Sequence, residues 1–65
     1  MPTAKDIGKR LRELRGDKSQ KTIASAIGIS TSTYSMYEIG QRIPRDEIKI
    51  KIAEFYKKSI ESIFF

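Results

Sequence analysis

The sequence predicts an all-α domain built from five short helices. Apolar residues recur three and four positions apart, serine or threonine precedes most of these apolar segments, and glycines separate them. The chain has 65 residues and no cysteine, so no disulfide supports its core and it lies near the lower size limit for a stable fold. We therefore expect one compact domain over residues 1–65.

The first helix is predicted by its start signal and its apolar face. Thr3 and Asp6 form the Thr-x-x-Asp pattern of a capping box. The apolar residues that follow recur at positions i, i+4 and i+7, and they are Ile7, Leu11 and Leu14. Gly16 is predicted to end this helix.

The second and third helices are predicted on either side of a glycine turn. Ser19 is expected to cap the second helix, whose buried side consists of Ile23, Ala24 and Ile27. Gly28 suits the left-handed turn that follows. Ser30 then caps a third helix, which Gly40 closes and whose tyrosines at i+4 and i+7 face the second helix, namely Tyr34 and Tyr37.

The fourth helix is predicted to open at Pro44, with Asp46 and Glu47 in its positive first turn. The segment "IKIKI", residues 48–52, alternates as a strand would. The same residues also fit a helical face, and no second strand exists to pair with them, so we predict helix. Ser59 is expected to cap a last short helix over 60–64.

Charge separates the chain into two parts. There are 13 Lys and Arg against 8 Asp and Glu, a net charge of +5. Residues 1–45 carry the whole of this excess, whereas residues 46–65 hold equal numbers of acids and bases. A basic N-terminal part and a neutral C-terminal part indicate that one face of the protein contacts a polyanion and that another face has a different partner.

Hydroxyl side chains are concentrated at the start of the third helix. Five of the six residues over 30–35 are serine or threonine, although these residues are mediocre helix formers. Two short helices joined by a tight glycine turn make a helix-turn-helix, and short side chains suit a helix that enters the DNA major groove. Thr33 is expected to face inward. The hydroxyl run therefore favours DNA recognition.

The whole pattern resembles the Cro and phage-repressor type of helix-turn-helix protein, also called the XRE family. "IGKRLRELR" resembles its first helix, "SQKTIASAIGIS" its second helix and turn, and "STSTYSMYEIGQRIP" its recognition helix and loop. "KIAEFYKKSIESIFF" resembles its last two helices. The resemblance implies a lambda-repressor-like domain that binds a palindromic operator as a homodimer and represses transcription, with the third helix in the major groove.

The resemblance also implies roles for particular residues. Base contacts are expected at the leading edge of the third helix, from Thr31, Ser32 and Met36, with Ser35 close by. Phosphate contacts are expected from Gln20, Ser30, Gly40 and Gln41. Arg15 and Glu38 match a family ion pair. Tyr34 occupies a position where relatives more often have isoleucine or valine, so its hydroxyl needs a partner.

Further expectations follow from position and composition. Arg42 and Arg45 flank Pro44 just past the recognition helix, where phosphate contact is expected. Ile50 and Phe65 are candidates for a dimer surface. Without histidine or cysteine the usual acid–base groups, nucleophiles and soft metal ligands are missing, so we expect no enzyme, no cofactor and no metal.

Two alternatives stay open beside the DNA-binding regulator. The first is a protein-interaction module of the same fold, such as an antitoxin. The second is a basic amphipathic helix on a membrane, over "DEIKIKIAEFYKK", which the acids at its start disfavour. No segment has the apolar length of a membrane span or a secretory signal, so a cytoplasmic protein, associated with the nucleoid when bound to DNA, is expected. The minimal, one-domain length predicts a phage or mobile-element origin.

Overall fold

The computed structural model describes residues 2–65, and within them the only regular elements are five α-helices. These are α1 (Ala4–Arg15), α2 (Gln20–Ile27), α3 (Thr31–Glu38), α4 (Asp46–Tyr56) and α5 (Ile60–Phe64). The predicted all-α fold of five helices is confirmed. Residues 48–52 lie inside α4, so the strand-like alternation does not produce a strand.

Four of the helices begin at the predicted side-chain caps. Thr3 and Asp6 form the full capping box, because the Asp6 N–H donates to the Thr3 hydroxyl at 3.1 Å and the Thr3 N–H donates to the Asp6 carboxylate at 3.0 Å. The hydroxyls of Ser19, Ser30 and Ser59 each accept the N–H three residues ahead. Each cap satisfies an N–H group that has no partner within its helix.

The start of α4 differs from the prediction. Pro44 does not open the helix, since α4 begins at Asp46 and Arg45 is its extended N-cap residue, with no side-chain cap. The fixed φ of proline suits an extended approach as well as a first helical turn, so proline alone does not locate the start. Pro44 instead packs as one of the fully buried side chains.

The core is formed by apolar residues from all five helices. Leu11, Ile23, Tyr34 and Ile52 have no measurable exposure, and Ile63 is 1% exposed. These positions reproduce the predicted apolar faces. Because every helix contributes to one cluster, the core fixes the orientation of α3 relative to its neighbours.

The helices α1 and α3 cross closely at Gly8. A Cβ atom at this position would overlap the carbonyl oxygen of Glu38 and would lie 2.7 Å from that of Tyr37. Glycine thus lets the end of α3 lie directly on α1. This role was not evident from the sequence, because a glycine inside a helix gives no sign of which backbone it touches.

The partner required by the Tyr34 hydroxyl is Tyr56. The two hydroxyl oxygens lie 2.9 Å apart, which links the middle of α3 to the end of α4. Burial raises the pKa of Tyr34, and the hydrogen bond to Tyr56 raises it further, so Tyr34 remains protonated throughout the physiological range. The core therefore accommodates Tyr34, which is larger than the isoleucine or valine expected at this position, because its hydroxyl pairs with that of Tyr56.

Arg10 forms hydrogen bonds with the end of α5. Its guanidinium donates to the carbonyl oxygens of Ile63 at 3.0 Å and Phe65 at 3.1 Å. A cation at a helix C-terminus satisfies carbonyls that lack partners within the helix. Arg10 thereby attaches the short α5 to α1.

Candidate nucleic-acid interface

The leading edge of α3 carries the predicted base-contact residues on the outside of the molecule. Thr31 and Ser32 are exposed, and Ser35 and Met36 are half-buried. These four side chains are short or flexible, and none of them makes a side-chain hydrogen bond within residues 2–65. The structure thus leaves their polar and apolar groups available to a ligand.

Thr33 does not face the interior, in contrast to the prediction. It is half-buried, and its hydroxyl oxygen accepts a hydrogen bond from the Ser30 hydroxyl at 2.8 Å. The Ser30 oxygen in turn accepts the Thr33 N–H at 3.1 Å. This reciprocal contact rigidifies the start of α3, where free N–H groups and the helix dipole favour an anion.

The end of α3 is fixed to α1 and α2 by a charged cluster. The Arg15 guanidinium donates to both carboxylate oxygens of Glu38, at 2.6 Å and 3.0 Å. Gln20 donates its amide N–H to Glu38 Oε1 at 3.0 Å. Arg15 also donates to the carbonyl oxygen of Lys18 at 2.8 Å, which holds the short loop before α2. The expected phosphate ligand Gln20 is thus oriented by Glu38.

Glu38 is the only buried charged residue that the structure shows within residues 2–65, with 3% exposure. Burial raises the pKa of this carboxyl, but the hydrogen bonds from Arg15 and Gln20 lower it by more, and the pKa lies below its usual 4.5. Glu38 is therefore ionised at neutral pH. Its charge keeps α3 in place and orients Gln20 at the start of α2.

The other predicted phosphate residues follow α3. Gln41, Arg42 and Arg45 are exposed, and Gly40 is half-buried with a φ of 79°. The Gly40 N–H donates to the Tyr37 carbonyl at 3.3 Å, and a Cβ on Gly40 would lie 2.8 Å from the Lys5 side chain. A larger residue at position 40 would therefore collide with Lys5, which explains why glycine fits here.

Two exposed isoleucines that the sequence did not predict lie beside this surface. Ile39 and Ile43 are 48% and 52% exposed, at the end of α3 and in the loop after it. The apolar spacing of α3 did not predict their exposure, because both residues follow the end of this helix at Glu38. Exposed apolar side chains of this kind are able to contact sugars or thymine methyl groups of a nucleic acid.

Comparison with known proteins decides the family. The profile of the Helix-turn-helix family matches residues 9–63, which covers α2, α3 and α4 and most of α1 and α5. The chain belongs to the helix-turn-helix family. It is of the XRE, or Cro and phage-repressor, type, as the quoted motifs predicted. A helix-turn-helix domain of this type is a DNA-binding domain.

One curated relative of this helix-turn-helix chain is a phage repressor. The "Cryptic phage CTXphi transcriptional repressor RstR" of Vibrio cholerae is 39% identical over 49 residues. The match covers 72% of this chain and 44% of the repressor. The helix-turn-helix chain thus spans less than half the length of this relative.

Two solved structures are similar in fold to this helix-turn-helix chain. The restriction-modification controller protein C.AhdI from Aeromonas hydrophila is 33% identical with a TM-score of 0.84, and the match covers 94% of this chain and 96% of that one. The clp gene regulator ClgR from C. glutamicum is 23% identical with a TM-score of 0.78, over 97% and 86% of the two chains. The second likeness shows the fold alone.

Within residues 2–65, the structure shows neither a metal-binding cluster nor a membrane-spanning helix. No group of three or more acidic side chains is arranged to hold a metal ion. Across the same residues, every helix is too short or too polar to cross a bilayer.

Proposed function

We propose that this chain is a DNA-binding transcriptional repressor of the phage or mobile-element kind, which binds a palindromic operator as a homodimer with α3 in the major groove. The observation that carries the proposal is the exposed hydroxyl-rich edge of α3, held out from the core by buried Tyr34 and Tyr37. A helix with short side chains on its outer edge fits a groove about 12 Å wide.

The exposed edge of α3 would recognise bases mainly through methyl and hydroxyl groups. The Thr31 methyl and the Met36 side chain suit thymine methyl groups, and the hydroxyls of Ser32 and Ser35 can bond to several bases or to water. No arginine, asparagine or glutamine lies on this edge to make a bidentate base contact. DNA shape and bridging water are therefore expected to contribute much of the specificity.

Phosphate contacts would flank the edge on both sides. Gln20 lies at the first position of α2, where its amide is already fixed by Glu38, and one of its two N–H bonds remains for a phosphate oxygen. The start of α3 at Ser30, the turn at Gly40 and Gln41, and the side chains of Arg42 and Arg45 would hold the backbone on the other side. Such contacts position the helix without reading sequence.

The homodimer would form through the neutral C-terminal part. Ile50 and Phe65 are 46% and 55% exposed and line one largely apolar cleft together with Ile60. The Lys49 ammonium lies 5.5 Å from the Phe65 ring centroid, within range of a cation–π contact. Because residues 46–65 carry no net charge, two copies can approach through this surface without repulsion.

Selection of bound sequences from a random duplex pool tests this proposal. We expect an inverted repeat whose half-sites lie roughly 34 Å apart, or a multiple of this, together with affinity that falls steeply with salt. A protein-interaction module of the same fold would select no sequence and would show no salt-dependent duplex binding. That result would exclude the repressor and favour the alternative.

A further inference from the structure

A cleft of about 410 Å³ lies beside the reading edge of α3. It is enclosed by one face of α3, by the loop that follows and by the start of α4. Its polar lining consists of Ser30, Thr33, Tyr37, Arg42 and Arg45. None of the four predicted base-contact residues lines it, so the cleft is a separate feature of the same surface.

Tyr37 is 4% exposed, yet its hydroxyl has no hydrogen-bond partner anywhere in residues 2–65. No buried side-chain oxygen or nitrogen in this part of the chain lacks a partner, so the Tyr37 hydroxyl must reach solvent. Tyr37 is one of the residues that line the cleft. Buried tyrosine hydroxyls usually have a partner, as Tyr34 has in Tyr56.

The charges around the cleft have one sign. Arg42 and Arg45 both line it, and neither side chain makes a hydrogen bond or a salt bridge within the described part of the chain. No aspartate or glutamate is among the lining residues. Two unneutralised guanidinium groups next to an unpartnered hydroxyl are suited to an anion with several acceptor oxygens.

The start of α3 supplies a further donor. Because the Ser30 hydroxyl donates to the Thr33 oxygen, the proton of the Thr33 hydroxyl remains free to donate to a ligand. The dipole of α3 adds positive potential at the same end of the helix. The same cleft is therefore lined by four residues that carry hydrogen-bond donors, namely Thr33, Tyr37, Arg42 and Arg45.

We propose that this cleft is a phosphate-binding site in which the Tyr37 and Thr33 hydroxyls donate to phosphate oxygens and Arg42 and Arg45 neutralise the charge. Where the phosphate belongs to the DNA backbone, the site rests on the function proposed above and makes Tyr37 a positioning residue for the recognition helix. The same chemistry would accept free phosphate or a phosphorylated small molecule, which would then compete with DNA.

The test compares two tyrosine variants of the full chain. Tyr37→Phe removes a hydroxyl with no partner in the protein, so the melting temperature should be unchanged while phosphate binding weakens about tenfold. Tyr34→Phe is the matched control, because it breaks the hydrogen bond to Tyr56 and should lower the melting temperature without weakening phosphate binding. Arg42→Gln should behave like Tyr37→Phe, and Lys51→Gln on α4 controls for lost charge.

Two titrations distinguish the source of the phosphate. The first measures the affinity for a random-sequence duplex at fixed salt, and the second follows the amide resonances of Thr33 and Arg42 with inorganic phosphate at constant ionic strength. A tenfold loss for Tyr37→Phe on the duplex alone assigns the cleft to the DNA backbone. Saturable amide shifts that Tyr37→Phe abolishes assign it to free phosphate as well.

The two proposals fail in different ways. If the wild-type chain binds no duplex but shows the amide shifts, the DNA-binding function fails and the phosphate site stands. If duplex binding is normal and Tyr37→Phe changes neither titration by more than twofold, the phosphate site is refuted and the DNA-binding function stands. A melting-temperature loss for Tyr37→Phe equal to that of Tyr34→Phe would also refute the site.

Discussion

Arg15 and Glu38 form a bidentate ion pair that attaches the end of α3 to α1. The Arg15 Nε atom lies 2.6 Å from Glu38 Oε2, and Nη2 lies 3.0 Å from Oε1. The Glu38 side chain is 1% exposed and that of Arg15 is 20% exposed. The position of α3 and of its exposed hydroxyl-rich edge therefore depends on a charge pair that water scarcely screens.

Arg15→Ala is expected to lower the free energy of unfolding by about 3 kcal/mol, because it leaves the Glu38 carboxylate buried without its cation. Urea denaturation measures the change. Arg12→Ala, an exposed position on the same helix, is the control and should change stability by less than about 0.5 kcal/mol. Equal effects of the two substitutions would show that the pair contributes nothing specific.

The ion pair also predicts how stability depends on pH. Because the pKa of Glu38 is lowered in the folded state, its stabilising contribution is complete above its ordinary value of 4.5 and is lost as pH falls through the folded pKa. Wild-type stability should therefore fall more steeply below pH 4.5 than that of Glu38→Gln. Denaturant unfolding at several pH values measures both slopes.

Asp6 sets the background for that experiment. Hydrogen bonds from Thr3 lower the pKa of its carboxyl, so both proteins retain some loss of stability in acid. Asp6→Asn, alone and combined with Glu38→Gln, separates the two contributions. Parallel slopes for wild type and Glu38→Gln would contradict a lowered pKa at Glu38.

Gly8→Ala tests the close crossing of α1 and α3. In an exposed helix, alanine in place of glycine would stabilise by up to about 1 kcal/mol. Here the new methyl group would overlap backbone oxygens of Tyr37 and Glu38, so we expect destabilisation of about 2 kcal/mol or more. Thermal unfolding measures it, with the neighbouring exposed Lys9→Ala as control, and a raised melting temperature would show that the helices do not cross so closely.

Most of the fold could be predicted from the sequence because its signals are local. A serine three residues before its N–H partner caps a helix whatever the rest of the chain does, and this identified the starts at Ser19, Ser30 and Ser59. Apolar spacing likewise identified the core. Pro44 was misassigned because a fixed φ suits both an extended loop and a helical turn.

The Arg15–Glu38 contact was expected from the family resemblance and is present, but the other polar contacts between helices could not be predicted in the same way. The Tyr56 hydroxyl meets Tyr34 across 22 positions, and Arg10 reaches Ile63 across 53. Only the packed arrangement of helices brings such groups together. The DNA-contact roles of individual residues remain predictions. These roles depend on the bound DNA, and neither apolar spacing nor helix caps carry information about it.

Ile50→Glu tests the proposed homodimer. A carboxylate in the apolar cleft beside Phe65 would be buried at the interface of two copies, so the dimer should dissociate at least tenfold more readily. Sedimentation measures the dissociation constant, and Glu54→Gln on the same helix serves as control. A monomeric wild-type chain, or a dimer indifferent to Ile50→Glu, would place the interface elsewhere or remove it.

The ratio of affinities for selected and random duplex tests the reading edge of α3 most directly. Thr31→Ala combined with Met36→Ala removes two methyl-rich contacts, and we expect this ratio to fall about tenfold, since each contact carries about 1 kcal/mol or less of discrimination. Arg42→Ala removes a proposed phosphate contact and should weaken binding to both duplexes alike. An equal loss on both duplexes for the double variant, or no loss at all, would contradict base reading by this edge.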